Sequence, residues 1–126
     1  MSPELEGLVL EMVRNSADVL RKSPTVMLPA VMLSKEPPKP AAITVVDYRP
    51  LPDAVGEARD MARAMTKDVK AYVVAWDGYV RIAADRTEAI LMEAWEDGSS
   101  AVLLAQQYRR DPFELLGSVI EIDATI

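Results

Sequence analysis

The chain has 126 residues and contains neither cysteine nor histidine, which excludes disulfide bonds, thiolate or imidazole metal ligands and every nucleophile that histidine activates. Fourteen basic and twenty acidic residues give a net charge of −6, a field that disfavours nucleic acids and anionic membranes as partners. The length predicts a single domain over residues 1–126, and the acidic start without an apolar segment predicts a cytoplasmic protein.

The first predicted element is an amphipathic helix over residues 3–22. Ser2 is placed to cap it, and Pro3 fits its first turn. Apolar residues recur on one side at helical spacing, and Ser23 followed by Pro24 ends the pattern. This helix therefore needs an apolar surface to lie on.

Two extended segments follow the first helix. Residues 25–33 are nearly all apolar, and Pro29 among them predicts an edge strand or two short extended pieces. Residues 34–40 carry three prolines and predict an exposed loop. Residues 42–48 are rich in β-branched side chains and predict a strand.

A second amphipathic helix is predicted to begin at Asp53, which would cap it, and to end near Thr66. The residues that share its apolar side are Val55, Ala58, Met61, Ala62 and Met65. Charged residues, Arg63 among them, are predicted to point away from that side.

The next segment predicts a central strand followed by a turn. Residues 69–76 are apolar on both sides of the strand, which is typical of a strand covered on both faces. The dipeptide Asp77-Gly78 predicts a two-residue hairpin turn that pairs Trp76 with Tyr79. A single long strand with a bulge at Gly78 is the alternative.

A second hairpin is predicted around Asp97-Gly98, between strands at residues 87–96 and 99–108. Its two-residue turn sets Glu93 opposite Val102 and places Gln106 and Tyr108 on the face that carries Glu93. Residues 111–114 predict a turn or a short helical turn, and residues 117–125 predict a last strand by their alternation.

Together these elements predict an α+β fold. We expect a mainly antiparallel meander sheet of five to six strands, with both amphipathic helices packed on one face. The other face would still carry tryptophan, tyrosine, leucine and valine. We therefore expect a second copy of the chain or a protein partner to bury that face.

The element order and two short motifs carry a resemblance. A helix, an apolar proline-containing segment, a strand and a helix precede Trp76-Asp77-Gly78-Tyr79 and the sequence Arg-Thr-Glu-Ala-Ile at residues 86–90. This arrangement resembles a loose set of small uncharacterised bacterial α+β proteins. The resemblance implies a bacterial α+β domain, and it implies no activity, site residue or cofactor.

Two acids lead the list of catalytic candidates if the chain is an enzyme. Glu93 lies in an apolar strand, where desolvation would raise its pKa and suit it to general acid–base work. The alternative is a solvated carboxylate, or one that is bonded to Gln106 or to an arginine. Asp77 is the second candidate, and a Mg²⁺-dependent reaction would need both acids in one pocket.

Aromatic and arginine residues predict a binding surface, because both types anchor interfaces and line ligand pockets. The predicted binding residues are Trp76, Tyr79, Arg81, Trp95, Gln106 and Tyr108. The alternative is that Asp77 serves the turn, that the aromatic rings pack internally, and that the arginines pair with Asp85 or Glu88.

The favoured functional hypothesis is a non-enzymatic interaction module. It would be a homodimer that uses a free sheet face or edge to hold a protein partner. The alternatives are a small-ligand-binding domain and a carboxylate-based, Mg²⁺-dependent enzyme. No resident metal, no cofactor, no nucleic acid and no membrane partner is predicted.

Overall fold

The computed structural model describes residues 1–23, 27–47, 50–82 and 85–122. Its helices and strands are α1 (Pro3–Lys22), β1 (Ala30–Ser34), β2 (Ala42–Val45), α2 (Leu51–Ala64), β3 (Ala71–Ile82), β4 (Asp85–Glu96), β5 (Val102–Arg110) and β6 (Phe113–Glu121). The strands form one antiparallel sheet in the order β2-β1-β3-β4-β5-β6. The predicted α+β fold with an antiparallel sheet is confirmed. Within the described ranges, neither helix is long and apolar enough to cross a membrane.

Helix α1 begins and ends where its sequence predicts. The Ser2 side chain caps it by accepting a hydrogen bond from the Leu5 backbone N–H at 3.1 Å, and Pro3 occupies its first turn. Its apolar side, which includes Leu8 and Met12, is fully buried against the sheet. We call the sheet surface under this helix the α1 face.

Helix α2 begins two residues before the predicted position. Pro50 occupies the N-cap without a side-chain cap bond, and Asp53 lies in the first turn instead of capping the helix. Ala54, Ala58 and Ala62 are each 0% exposed, and they pack on side chains of β1 and β3. Small side chains on this side let the helix backbone lie close to the sheet, on what we call the α2 face.

The two helices lie on opposite faces of the sheet, so the prediction that both pack on one face is wrong. Val73 of β3 packs in the cluster with α1, whereas Tyr72 and Val74 pack in the cluster with α2. Successive side chains of a strand point to opposite faces. The physical reason is that β3 is apolar on both sides and each side requires its own cover.

Strand β1 is an interior strand between β2 and β3, so the prediction of an edge strand for residues 25–33 is wrong. Pro29 lies one residue before β1, outside the ladder that Ala30–Ser34 form with β3, so its missing N–H removes no bond from that ladder. The Pro29 carbonyl accepts a hydrogen bond from the Val46 N–H at 2.9 Å. Residues 25–26, 48 and 123–125, which belong to the predicted strands, lie outside the described residues.

Strand β3 continues without interruption through Asp77 and Gly78. Trp76 pairs with Leu91 of β4, and Tyr79 pairs with Glu88, in one unbroken register. The predicted hairpin turn is therefore wrong, and the alternative of a single long strand is confirmed without the bulge at Gly78. A Cβ on Gly78 would lie 2.6 Å from Cδ1 of Leu91, so this glycine permits close approach of a neighbouring side chain and does not make a turn.

The second predicted hairpin is present, but its loop is longer than two residues. Gly98 has a positive φ of 85°, and β5 begins only at Val102, so Glu93 pairs with Leu103 and not with Val102. A shift of one residue moves every side chain of a strand to the other face. Gln106 and Tyr108 therefore lie on the α1 face, away from Glu93, contrary to the prediction.

Candidate functional site

Glu93 is an enclosed carboxylate on the α2 face, with an exposed fraction of 2%. Arg63 donates from Nη2 to its Oε1 at 2.6 Å and from Nε to its Oε2 at 3.2 Å. Arg59, one turn earlier on α2, donates from Nε to Oε1 at 3.0 Å. The hydroxyl of Tyr72 donates to Oε2 at 2.6 Å. Both carboxylate oxygens are thus occupied by at least two donors each.

The ionisation of this cluster follows from its contacts. Burial alone would raise the pKa of Glu93, but the hydrogen bonds from Arg63, Tyr72 and Arg59 outweigh it and hold the pKa below its ordinary value. Burial, together with the bond to Glu93, raises the pKa of Tyr72. Glu93 is therefore ionised and has no proton to donate at neutral pH. The prediction of a raised pKa is wrong, and the alternative of a bond to an arginine is confirmed.

Two tryptophans surround the Glu93 cluster. The Trp95 ring stacks on Tyr72 with ring centroids 5.5 Å apart. The guanidinium of Arg59 lies 5.4 Å from the centroid of the Trp76 ring. Trp76 and Trp95 were predicted to bind a ligand, and the structure places both in the contact between α2 and the sheet, where they are half-buried.

Asp77 lies in a second polar cluster, on the α1 face. Its side chain is 6% exposed and accepts a hydrogen bond from Nη2 of Arg110 at 2.7 Å. The Tyr108 hydroxyl donates to the other oxygen of Asp77 at 2.5 Å, and Nε of Arg110 donates to Glu88 at 2.7 Å. Burial, together with the bond to Asp77, raises the pKa of Tyr108. These contacts hold the side chain of Asp77 in place within strand β3.

The two acids proposed for catalysis do not converge. Asp77 and Glu93 lie on opposite faces of the sheet, because Asp77 follows the α1-facing positions of β3 whereas Val74, the partner of Glu93, faces α2. A two-carboxylate Mg²⁺ site needs both acids in one pocket. Within the described part of the chain, no group of three or more acidic side chains is placed to hold a metal ion.

Tyr79 and Arg81 lie near the end of the β3–β4 ladder at which Ile82 pairs with Asp85. Tyr79 is 47% exposed, and the Arg86 guanidinium lies 3.9 Å from its ring centroid. Arg81 pairs directly with Arg86 across the strands. With Val80 these residues line an open cleft of about 340 Å³. Across the described ranges neither arginine forms an ion pair, so the predicted pairing with Asp85 or Glu88 is wrong for both.

Gln106 is 4% exposed and ties β6 to β5. Its Nε2 donates to the carbonyls of Gln107 at 3.0 Å, Leu116 at 3.3 Å and Gly117 at 3.1 Å. These bonds sit where the β5–β6 register shifts. Gln106 also lines a cleft of about 460 Å³ between α1 and β6. Its main contacts are structural, and the prediction that it binds a ligand stays a prediction.

The β2 edge of the sheet exposes a whole apolar strand of the described chain. All four residues of the strand Ala42–Val45 are exposed, with Ile43 at 46% and Val45 at 57%. β2 pairs with β1 on one side only. Its sequence, Ala-Ile-Thr-Val, contains no charge and no proline, which are the usual protections of an edge strand.

Sequence reasoning missed the residues that define the two clusters. Arg63 was assigned to the outer side of α2, and neither Arg59 nor Arg110 was singled out. One signal was available, because Arg59 and Arg63 are four residues apart and therefore project from the same side of the helix. Glu93, an acid inside an apolar strand, requires such a partner.

The chain matches no protein-family model, no curated protein and no solved structure.

Proposed function

We propose that the protein is a non-enzymatic, cytoplasmic interaction module that binds a polypeptide strand along the free edge of β2. The observation that carries the proposal is the exposure of the entire strand, including Ile43 at 46% and Val45 at 57%. An open edge offers unpaired N–H and C=O groups, and its apolar side chains add contact area. Partners that extend a sheet by one strand use these two features.

The state of the acids supports a non-enzymatic role. Arginine and tyrosine donors occupy both Glu93 and Asp77, and the two carboxylates lie on opposite faces of the sheet. The hydrogen bonds from Arg63, Tyr72 and Arg59 hold the pKa of Glu93 below its ordinary value, so Glu93 is a poor proton acceptor. The Glu93 cluster attaches α2 to the sheet, and the Asp77 cluster joins β5 to β3. A partner is therefore bound by exposed surfaces and not by these two clusters.

The test uses short, uncharged peptides rich in valine, isoleucine and threonine, added to ¹⁵N-labelled protein. We expect saturable shifts of the Ile43 and Val45 amide signals, which Val45→Lys abolishes. Val19→Lys is the matched control, because Val19 is 39% exposed near the end of α1 where Arg21 contacts Phe113 of β6, at the opposite edge of the sheet from β2. The proposal fails if no peptide shifts these amides, or if the two lysine variants behave alike.

A second candidate function rests on a different observation, the facing pair Arg81 and Arg86 beside the exposed ring of Tyr79. Like charges directly opposite each other destabilise a sheet, and an anion between them would remove that cost. We propose a small aromatic anion, such as phenyl phosphate, as the ligand of this cleft.

Thermal unfolding measured with phenyl phosphate, and with benzylamine as the cationic counterpart, tests this candidate. We expect only phenyl phosphate to raise the Tm, and we expect Arg86→Gln to remove the effect. Arg14→Gln is the control, because Arg14 is an exposed arginine on α1 that is paired with Glu11. Equal stabilisation by both ligands would rule this candidate out.

A further inference from the structure

We propose that the strand bound at the β2 edge is β2 of a second copy of the chain. The two strands pair antiparallel about a twofold axis at Thr44 and join two six-stranded sheets into one. This inference rests on the proposed function and names its partner.

Hydrogen bonds to β1 determine which backbone groups of β2 face outward. The Val46 N–H donates to the Pro29 carbonyl at 2.9 Å, and the register continues with Thr44 opposite Val31. In an antiparallel ladder, bonded and non-bonded pairs alternate. Val46 and Thr44 therefore direct their backbone groups toward β1, and Ile43 and Val45 direct theirs toward the open edge.

A twofold axis at Thr44 makes these outward groups complementary to themselves. It sets Ile43 of one copy opposite Val45 of the other, and the same pair recurs on the far side of the axis. Each such pair exchanges two backbone hydrogen bonds. The edge thus satisfies its own free donors and acceptors without any gap in the ladder.

The side chains at these positions are complementary in the same register. Ile43 and Val45 pair with Met32 and Ala30 on β1, both of which belong to the α1 cluster. All four apolar side chains of the two copies therefore fall in one row on the α1 face. β-branched side chains directly opposite each other are favourable cross-strand pairs, and the row shields part of the exposed apolar surface of Ile43 and Val45.

The charges around the edge are compatible with a second copy. Residues 40–46 carry no charge, so the net charge of −6 is not concentrated at the contact. A foreign strand would satisfy the same backbone groups, but only a second copy brings the matched Ile43–Val45 pairs on both sides of the axis.

Cysteine cross-linking tests the pairing directly, because the chain has no cysteine of its own. In Thr44→Cys the two sulfur atoms face each other across the axis in a non-bonded pair, with Cα atoms about 4.5 Å apart, which a disulfide spans. We expect mild oxidation to convert most of this variant to a covalent dimer. Ile43→Cys is set opposite Val45 and not opposite itself, so it should cross-link poorly. Ser100→Cys lies in an exposed loop and measures the background of disulfide cross-links that form by random collision.

Light scattering on the unmodified chain completes the test. At millimolar concentration we expect a mass approaching twice 13.9 kDa, loss of dimer in Val45→Lys, and retention of dimer in Val19→Lys. Cross-linking of Thr44→Cys no faster than Ser100→Cys, or a monomer at every concentration, overturns the inference. If the monomer still binds strand peptides at Ile43 and Val45, the interaction module stands and only its partner is wrong.

Discussion

At the scale of single residues, Glu93 is the main polar attachment of α2 to the sheet. Its side chain is 2% exposed, whereas those of Arg59 and Arg63 are 32% and 52% exposed. The arginines would regain water if Glu93 lost its charge, and the buried hydroxyl of Tyr72 would lose an ionised acceptor. We expect Glu93→Gln to lower the free energy of unfolding by about 2–3 kcal/mol. Urea denaturation followed by tryptophan fluorescence measures this change.

The control is Glu114→Gln, because Glu114 pairs with Arg109 on the surface at 52% exposure, and we expect it to cost under about 0.5 kcal/mol. The pH dependence has a definite sign. Since the folded pKa of Glu93 lies below its ordinary 4.5, its contribution is complete well above that pH. The contribution of Glu93 to stability begins to decline when its carboxylate becomes protonated in the unfolded chain. It is lost as the pH falls through the pKa of Glu93 in the folded protein. A difference between the two proteins that stays constant into acid would contradict this account.

At the scale of elements, the unbroken strand β3 depends on Gly78. An alanine there would bring Cβ to 2.6 Å from Cδ1 of Leu91, so the leucine side chain must move. We expect Gly78→Ala to destabilise the protein by about 1 kcal/mol. Combined with Leu91→Ala, the same substitution should become neutral or stabilising, because alanine is otherwise preferred to glycine inside a strand by about 0.5–1 kcal/mol. A double-mutant cycle measures this coupling.

Gly98 provides the comparison for that cycle. Its φ of 85° disfavours any other side chain, and nothing lies within 4 Å of a Cβ placed on it. We expect Gly98→Ala to cost about 1–2 kcal/mol through backbone strain alone. That cost should be the same with and without Leu91→Ala. Equal coupling of both glycines to Leu91 would refute the steric role of Gly78.

The contrast between these two Asp-Gly pairs shows what the sequence can predict about the fold. Local turn chemistry is the same at residues 77–78 and 97–98, and only the second pair forms a turn. The difference lies in partners distant along the chain, because Tyr108 and Arg110 hold Asp77 and Leu91 occupies the space beside Gly78. The elements and their apolar sides follow from periodicity, whereas the choice between turn and strand depends on these long-range contacts.

The candidate sites were predictable to a smaller extent for a related reason. Glu93 is unusual as an acid in an apolar strand, and the sequence identified it for that reason. Its arginine partners, however, lie on a helix 34 and 30 residues earlier in the chain. Gln106 was assigned to the wrong face through a single residue of loop length at Asp97-Gly98. Face assignment has a period of two, so an error of one residue reverses it completely. The exposure of β2 depends on strand order, which sequence periodicity does not contain.

At the scale of the whole molecule, self-association links stability to protein concentration. A partner that binds only the folded chain stabilises it by RT ln(1 + [L]/Kd). A short ladder is small beside a standard interface of about 1,600 Å², so we expect a Kd on the order of 100 µM. With that Kd only about 200 µM of the chain is free monomer at a total of about 1 mM, so raising the protein concentration from about 10 µM to about 1 mM adds roughly 0.9 kcal/mol of stability. That gain corresponds to a rise in Tm of about 2–5 °C.

The same measurement separates pairing between two copies from ligand binding at the arginine cleft. Val45→Lys should remove the dependence of Tm on protein concentration, because a lysine on the edge strand prevents pairing. Val19→Lys should retain it. A ligand bound at Arg81 and Arg86 would raise the Tm of both variants equally at any protein concentration, since that cleft lies away from β2. A Tm that is independent of concentration in the unmodified chain would therefore exclude pairing between two copies, and it would leave a foreign strand at β2 and the arginine cleft as the surviving candidates.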